Sequence, residues 1–426
     1  MGKDRKVPQG RLARLALLAS VGARTGVGIL TKDSQGAAER ATEVLGRMRG
    51  LAAKVGQIAS YVDGLIPEGG SEPFQRALAS LRESAMTSTY GEVRSIVEEE
   101  LGGPIDRLYA SFEEMPFASA SIGQVHRATL HDGREVAVKV QHPGIAKAVD
   151  SDLKSAALLE PLASFAAGRK VDSKLVLEEM ALRLREELDY ALEAERQEHF
   201  RKVHWNDPKI RIPAVVGDRS KSRVLTTELA SGVTLDDLAT RPEADRRASA
   251  ETLWRFVFKG NLVGRMFNAD PHPGNYLFGE DGVVTFLDFG CVEPIVGDRW
   301  EHALGLHKAA LRRDEDAFAG FAKKLLHTRG GQWEAMAIGF SRSCFEPIFA
   351  SPFKVTRTFA AGLVGKMKEM GKNVRKLPPG EYVPVPRGMV FMNRLQFGFY
   401  SVLARLDVEA DYAEVERRFL READLL

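Results

Sequence analysis

The sequence predicts an α+β protein with a small mixed lobe followed by a larger helical lobe. Between residues 120 and 144, two runs of alternating apolar residues flank Asp132-Gly133, a pair typical of a tight hairpin turn. After Gly232 the apolar residues recur mostly at helical spacing. The segment 267–290 interrupts this helical pattern with turn residues and short alternating runs. A chain of 426 residues has room for two such lobes, each with its own core.

The composition is that of an ordinary globular protein. Hydrophobic residues make up 44% of the chain and charged residues 28%, which excludes the fibrous and disordered classes. The two cysteines, Cys291 and Cys344, belong to no CxxC motif or Cys/His cluster, so we expect neither a disulfide framework nor a zinc site. The cytoplasm is the expected location.

The N-terminus is basic, although the formal charge of the whole chain is only +2. The first 54 residues hold eleven Lys and Arg against four Asp and Glu. Because "RLARLALLASVGARTGVGIL" interleaves arginines with apolar residues, a peripheral contact with the inner face of a membrane is favoured, and no nucleic-acid partner is expected. A solvated basic face is the alternative interpretation.

No apolar run suggests a membrane-spanning segment. The run at 15–23 imitates a signal peptide, but the nucleotide site inferred below argues against export. No segment reaches the roughly 20 apolar residues that span a bilayer. The run 388–406 is interrupted by Arg394 and predicts a buried or amphipathic helix.

The first part of the chain is predicted to be helical and then rich in strands. The helical pattern extends from Gly36 to about Leu81, and Gly102-Gly103-Pro104 breaks the chain before the hairpin. The second hairpin strand places its valines at 136, 138 and 140 on one face, so Lys139 points to the other face.

A long helix is predicted over 175–200, followed by the strand-like runs "KIRIPAVVGD" and "SRVLTTELA". We therefore expect a helical N-terminal extension over 1–104, a mixed lobe with inserted helices over 105–229, and a mainly helical lobe over 230–426.

The segment "FNADPHPGNYLFGEDGVVTFLDFG" at 267–290 carries three side chains suited to phosphate chemistry. Asp270 precedes Asn275 by five residues, as in the D-x-x-x-x-N catalytic loop of kinases, and Asp288 opens a DFG tripeptide thirteen residues later. An aspartate can accept or orient a hydroxyl proton, and Asn and Asp oxygens are hard ligands for Mg²⁺. Together with Lys139 in "VAVK", these residues predict a site for Mg²⁺ and a nucleotide.

Further motifs occur in a fixed order around these residues. The chain contains "KVGQ" at 54–57, "FASASIGQVH" at 117–126, "ELDYALEAE" at 187–195 and "ADPHPGN" at 269–275. In these motifs the sequence resembles the UbiB/AarF/ADCK atypical kinase family, which has an alanine-rich nucleotide loop in place of G-x-G-x-x-G. The resemblance implies a protein kinase-like bilobal fold with an N-terminal helical KxGQ extension.

The resemblance also implies roles for individual residues. Lys139 matches the lysine that binds ATP or ADP phosphates, Glu193 its helical partner, Asp270 the catalytic carboxylate, and Asn275 and Asp288 the Mg²⁺ ligands. Lys54 and Gln57 match residues of the extension that reach into the site and approach Glu187 and Asp189. The remaining candidate nucleotide contacts are Ala118, Ser119, Ala120, Ser121, Glu228 and Ala230, and Ala120 takes the place of a glycine and affects nucleotide preference.

Helical geometry limits how the acidic residues can act. On a helix over 175–200, Asp189 and Glu193 are four residues apart and share a polar face, where Lys139 and Lys54 would relieve their repulsion. Glu187 lies well around such a helix from Glu193, so a straight helix cannot direct both at one cation.

The expected activity is that of an ATP-dependent phosphotransferase or ATPase of this atypical kinase type. The resemblance implies that the enzyme acts on, or is regulated by, a small lipid-like molecule of quinone or isoprenoid metabolism. One alternative is a nucleotide-gated regulatory protein with negligible catalysis. The other is a conventional Ser/Thr protein kinase, although a KxGQ extension over the site would block a peptide.

Overall fold

The computed structural model describes residues 88–119, 122–151, 153–154, 173–374, 376–378, 380–384, 386 and 389–426. The basic N-terminus, the KVGQ segment, Ala120 and Ser121 lie outside these ranges. The predictions for Lys54, Gln57 and the extension before residue 88 therefore remain predictions.

The first part of the fold is a five-stranded antiparallel sheet with a helix packed on it. The helices before the hairpin are α1 (Tyr90–Leu101) and α2 (Ile105–Leu108), and the strands are β1 (Ser111–Phe112), β2 (Ala118–Ser119), β3 (Gly123–Thr129), β4 (Glu135–Gln141) and, after an insertion, β6 (Val224–Glu228). The strand order is β1-β3-β4-β6, and β2 also pairs with β3. The sheet is the mixed lobe that the sequence predicted.

The predicted hairpin is present, with Gly133 in its turn at φ +88°. Val136, Val138 and Val140 are fully buried in one cluster with Val93 and Val97 of α1. The helix α1 thus packs against the sheet, although it belongs to the predicted extension. The domain boundary predicted at residue 104 stays a prediction.

Between β4 and β6 the described chain forms a helical stretch at 145–151 and then α3 (Ser173–Glu187), α4 (Tyr190–Val203) and the short strand β5 (Ile210–Arg211). The two helices replace the single helix predicted over 175–200, which was wrong at residues 188 and 189. A 3₁₀ turn at Gly217–Arg219 leads into β6.

The second part of the fold is mainly helical, as predicted. Its helices are α5 (Leu235–Leu238), α6 (Glu243–Leu262), α7 (Asp298–Leu311), α8 (Glu315–Leu326), α9 (Gly331–Cys344), α10 (Glu346–Phe349), α11 (Arg357–Val374), α12 (Met389–Leu406) and α13 (Tyr412–Glu422). The short strands are β7 (Met266–Asn268), β8 (Tyr276–Phe278), β9 (Val284–Phe286), β10 (Val292–Pro294), β11 (Phe353–Lys354) and β12 (Glu409–Ala410). A 3₁₀ turn at Pro273–Asn275 precedes β8.

The helices of this part surround the long central helix α6. Trp254 of α6 is completely buried, and its indole Nε1 donates to Oε1 of Glu416 on α13 at 3.0 Å. The other Glu416 oxygen lies 2.8 Å from Nδ1 of His307 on α7. A buried carboxylate with two partners ties three helices together, because leaving any of these polar groups unpaired would be costly.

Two predictions on single features of this part can be compared with the structure. Cys291 and Cys344 are both buried, and neither forms a disulfide bond. In α12, residues 397–404 are buried, as predicted for an apolar helix interrupted by Arg394. Among the described residues, no helix is both long enough and apolar enough to span a bilayer.

Candidate active site

The side chains of Lys139, Glu193 and Asp288 meet in one cluster, which we call the Lys139 cluster. Nζ of Lys139 donates to both carboxylate oxygens of Glu193, at 2.8 and 3.0 Å, and lies 3.4 Å from Oδ2 of Asp288. The Glu193 side chain is 2% exposed, Lys139 17% and Asp288 28%. The ion pair is therefore shielded from water, while the Asp288 carboxylate stays accessible.

The sheet and α4 position this cluster. Lys139 lies in the middle of β4, whose opposite face is anchored by the buried valines. Its ammonium group also lies 4.9 Å from the ring centre of Tyr190, the first residue of α4, in cation–π geometry. A side chain at position 123 would collide with the Val140 carbonyl and, at 2.8 Å, with the Tyr190 hydroxyl, so glycine is needed where β3 passes this ring.

The break between α3 and α4 changes the roles expected for the nearby acids. Asp189 is the N-cap of α4, and its Oδ1 accepts from the backbone N–H groups of Ala191 and Leu192 at 3.1 and 3.4 Å. The prediction that Asp189 and Glu193 share one helical face was therefore wrong. The capping bonds use one of the two oxygens of the Asp189 carboxylate.

The same break brings Glu187 to the DFG segment. A Cβ atom added to Gly290 would lie 3.7 Å from Cγ of Glu187 and 3.6 Å from Oε2 of Glu193. The two carboxylate side chains thus flank one point, which a straight helix would not allow. Glu187 is buried at the end of α3.

The loop from Asn268 to Asn275 is held by its own asparagines. Oδ1 of Asn268 accepts from the Asp270 backbone N–H at 3.0 Å, and Nδ2 of Asn275 donates to the Asp270 carbonyl at 3.1 Å. Nδ1 of His272 accepts from the Gly274 N–H at 3.0 Å, a structural contact within the turn. These bonds fix the backbone at Asp270, whose side chain is buried, and the position of the Asn275 amide.

The DFG segment is joined to that loop and to α4. Nδ2 of Asn268 donates to the Asp288 carbonyl at 2.6 Å, and Oδ1 of Asp288 accepts from the Gly290 N–H at 3.0 Å. Arg196 of α4 donates to the Gly290 carbonyl at 3.0 Å. Phe289 is completely buried, with its ring centre 5.3 Å from that of Phe200. The tripeptide is thus anchored on both sides of its accessible aspartate.

Electrostatics keep Lys139 charged. Burial disfavours the ammonium ion, but the carboxylates of Asp288 and Glu193 outweigh this effect and hold the pKa of Lys139 well above its usual value. Burial raises the pKa of Glu193, and the adjacent Lys139 charge opposes that rise. The arrangement places a permanent positive charge beside an accessible carboxylate.

The other predicted nucleotide contacts occupy two places. Ala118 and Ser119 form the exposed strand β2, in which Ala118 pairs with Val125 and Val125 pairs with Lys139 on the next strand. Two strand spacings separate Ala118 from Lys139, or about 10 Å. Glu228 and Ala230, by contrast, line a separate cavity of about 490 Å³ that no residue of the Lys139 cluster lines.

Three residues of this site were not predicted from the sequence. Tyr190 stacks on Lys139, Arg196 holds Gly290, and Asn268 connects the two loops. Arg196 follows Glu193 by three residues, so helical spacing alone could have placed both on one face. The spacing of Asn268, Asp270 and Asn275 offered a similar signal, whereas the Tyr190 contact depends on the unexpected helix break.

Comparison with known proteins agrees with this geometry. Residues 80–321 match the family described as the ABC1 atypical kinase-like domain. The chain is similar to the mitochondrial atypical kinase COQ8B of Rattus norvegicus, with 30% identity over 95% of this chain and 79% of the relative. It is 35% identical to the chloroplastic protein Activity of BC1 complex kinase 7 of Arabidopsis thaliana, over 61% of this chain but only 37% of that protein.

A solved structure shows the same fold. The structure of Rv3197 from Mycobacterium tuberculosis, determined as a complex with erythromycin, superimposes with a TM-score of 0.62 and 27% identity, covering 92% of this chain and 97% of that one. The family match spans more than half of the chain and includes the Lys139 cluster and the loop that precedes it. The predicted kinase-like fold is confirmed, and the chain belongs to the ABC1 atypical kinase-like family, which includes the COQ8 and other UbiB-type proteins.

Proposed function

We propose that this chain binds a Mg²⁺-nucleotide at the Lys139 cluster and either hydrolyses ATP or transfers its terminal phosphate to a small lipid-like molecule. The single observation that carries the proposal is the bidentate bond from Lys139 to Glu193 with Asp288 at 3.4 Å. Kinases require this lysine–glutamate pair and the DFG aspartate to be in place at the same time.

The residues present fit a bound magnesium ion. Asn275 and Asp288 offer hard oxygen ligands, and the bond from Nδ2 of Asn275 to the Asp270 carbonyl identifies the other amide atom as the available acceptor. Two protein ligands suffice, because Mg²⁺ usually completes its octahedron with waters and substrate phosphates. When bound, the ion would neutralise phosphate charge.

The other residues of the site would position the phosphates and the acceptor. Lys139 would neutralise phosphate oxygens, and Glu193 would keep its ammonium group in place. Asp270 would orient the attacking water or hydroxyl group and accept its proton. Since the Asn268 and Asn275 side chains fix the backbone of this loop, the Asp270 carboxylate would be positioned before a substrate binds.

A small molecule is favoured over a peptide as the acceptor or regulator. The solved relative is a complex with erythromycin, a small molecule, and the COQ8 relatives are named as atypical kinases. The KxGQ residues Lys54 and Gln57 would restrict access for a peptide, as in the family. We place the protein in the cytoplasm, with a peripheral membrane contact through the basic N-terminus.

Substitution of the two metal ligands tests the proposal. Asp288→Asn and Asn275→Ala should each abolish Mg²⁺-dependent binding of ATP, measured by titration calorimetry, because each removes or neutralises an oxygen ligand while the fold survives. Asp281→Asn is a matched control, since Asp281 is an exposed turn residue. Unchanged Mg²⁺-dependent affinity in folded Asp288→Asn protein would refute the proposed Mg²⁺-nucleotide site. Binding without turnover in the wild type, with lipid or quinone-like additives present, would favour the regulatory alternative.

A further inference from the structure

Four charged side chains beside the DFG segment form one network, which we call the Glu186 network. It consists of Arg183 and Glu186 of α3, Arg196 of α4 and Glu293 of β10. Oε2 of Glu186 accepts from Nη1 of Arg183 and from Nη2 of Arg196, both at 2.7 Å. Nη2 of Arg183 pairs with Oε2 of Glu293. The four side chains are 10% to 19% exposed, so solvent screens these charges little.

The helix break at 188–189 brings this network together. Glu186 and Arg196 are ten positions apart, which corresponds to about 15 Å along a straight helix. Because the chain turns between α3 and α4, the carboxylate of one helix instead lies 2.7 Å from the guanidinium of the other. The contact therefore reports the observed arrangement of the two helices.

The network holds the peptide of Gly290, the last residue of the DFG tripeptide. Nη1 of Arg196 donates to the Gly290 carbonyl at 3.0 Å, while the Gly290 N–H donates to Oδ1 of Asp288, also at 3.0 Å. The two Nη atoms of Arg196 thus bridge Glu186 and Gly290, as the rigid fork of a guanidinium allows. With Oδ1 of Asp288 held by Gly290, Oδ2 is the oxygen that lies 3.4 Å from Lys139.

The chain that follows the DFG tripeptide is held by the same network. Nη1 of Arg183 also donates to the Val292 carbonyl at 3.1 Å. Oε1 of Glu293 lies 3.8 Å from Nη1 of Arg299 on α7. Residues 290–293 are therefore held by α3, α4 and α7 through charged side chains.

We propose that Glu186 and Arg196 are positioning residues that keep Asp288 oriented for Mg²⁺. Without the Glu186 charge, the guanidinium groups of Arg183 and Arg196 would lose the carboxylate between them in a shielded position. Arg196 would then release the Gly290 peptide, and Mg²⁺ binding would first have to reorder the Asp288 carboxylate. The inference rests on the proposed function, because it explains how a ligand of that site is oriented.

The Mg²⁺ requirement of ATP binding tests this role. Glu186→Gln and Arg196→Met should each raise the Mg²⁺ concentration for half-maximal ATP binding about three- to tenfold, the range expected for loss of one hydrogen bond. ATP affinity at saturating Mg²⁺ should stay close to that of the wild type, because Lys139 and Glu193 are unchanged. Glu186→Gln keeps the size of the side chain, so it carries the test if Arg196→Met does not fold.

A double variant and a matched ion pair distinguish positioning from general destabilisation. If Glu186 acts through Arg196, the combined variant should need no more Mg²⁺ than Arg196→Met alone. Arg255→Met is the control, because Arg255 forms a partly buried pair with Asp207, with side chains 23% and 9% exposed, outside the network. An equal rise in the Mg²⁺ requirement of Arg255→Met, or a wild-type requirement in both folded network variants while Asp288→Asn loses binding, would overturn the inference and leave the proposed function intact.

A measurement without nucleotide separates failure of this inference from failure of the proposed function. In Arg196→Met, hydrogen exchange of the Gly290 amide, followed by mass spectrometry, should be faster than in the wild type because its bond to Asp288 opens more often. Exchange at this amide should not change in Arg255→Met. If the wild type did not bind Mg²⁺-ATP, the proposed function would fail, yet faster exchange in Arg196→Met alone would still support the hold on Gly290. Unchanged exchange in folded Arg196→Met would overturn the inference in either case.

Discussion

At the scale of single residues, the Glu193 side chain should contribute strongly to the stability of the fold. Its removal leaves the Lys139 ammonium in a shielded position where, among the described residues, the more distant Asp288 is its remaining carboxylate partner. We expect Glu193→Ala to lower the free energy of unfolding by roughly 3 kcal/mol, the lower end of the range for breaking a buried pair. Replacing both partners, Lys139→Met with Glu193→Leu, should restore most of that loss. Urea unfolding measures both effects.

An exposed pair provides the control for this prediction. Glu243 and Arg247 form an ion pair on the surface of α6, with side chains 59% and 48% exposed. Glu243→Ala should therefore cost less than about 1 kcal/mol. If Glu193→Ala were no more destabilising than Glu243→Ala, the shielding of the Lys139 cluster would have no energetic consequence.

His204 should make the stability of the protein depend on acidic pH. The ring is buried between Phe200 and Phe256, with centres 6.4 and 5.1 Å away, and burial lowers its pKa to about 3. The unfolded chain binds this proton with a pKa of about 6.5. The stability that neutral His204 contributes is therefore fully present above pH 6.5 and is lost as the pH falls towards 3.

The loss should approach about 1.4 kcal/mol per pH unit for this single proton. His204→Phe keeps an aromatic ring in the cluster and removes the titrating group. We expect its free energy of unfolding, measured in urea at several values between pH 6.5 and 4, to fall less steeply than that of the wild type. Identical slopes for the two proteins would mean that His204 is not buried in its neutral form.

At the scale of elements, the sequence predicted the local turns well and the helix break poorly. The Asp132-Gly133 and Asp281-Gly282 turns were predictable, because Asp-Gly pairs favour tight turns with positive φ angles. The structure shows Gly133 at +88°, Asp281 at +52° and Gly282 at +74°. The helix break at 188–189 was not predictable, because the apolar stripe continues through Leu184 and Leu188. A capping aspartate inside an apparently continuous pattern gives no signal in the hydrophobic periodicity.

Contacts between segments that lie far apart in the sequence could also not be predicted from it. The bond from Asn268 to the Asp288 carbonyl joins positions 20 residues apart, and its donor is the asparagine that ends β7. The family resemblance suggested that Lys139, Glu193 and Asp288 belong to one site, because each stands in a recognisable motif. It could not predict which side chains would hold those motifs against each other.

The Asp189 cap gives the helix break a testable role. Asp189→Ala removes two bonds to the first turn of α4 and should lower stability by about 1 kcal/mol. Because Glu193 lies in the following turn, the substitution should also lower ATP turnover, which phosphate release would measure. Asp189→Asn should retain most of both properties.

A variant at a second helix cap distinguishes the effect on stability from the effect on turnover. Asp314 caps α8 through a bond to the Ala317 N–H at 2.9 Å and lies outside the proposed site. Asp314→Ala should cost a similar amount of stability and leave turnover unchanged. If both variants lowered turnover equally, the break before α4 would have no specific connection to Glu193.

At the scale of the whole molecule, the distribution of charge separates the N-terminus from the rest of the chain. An excess of seven positive charges in the first 54 residues contrasts with a net charge of only +2 for the full sequence. The remainder is therefore acidic and would be repelled by an anionic membrane. Any attraction to such a surface should come from the N-terminal segment.

Deletion of residues 1–30 tests this division of charge. The deletion removes arginines that are interleaved with apolar residues, so the truncated protein should bind anionic vesicles less than the full chain does, as measured by sedimentation. Binding of the full chain should weaken from low salt to 0.1 M salt, where the Debye length is about 10 Å. Replacing Arg11, Arg14 and Arg24 with glutamine should reproduce most of the loss, whereas Arg247→Gln with Arg418→Gln, two exposed positions on the helical part, should not. Equal sedimentation of the full and truncated chains would show that the basic segment is a solvated surface, and the membrane contact would then have to be abandoned.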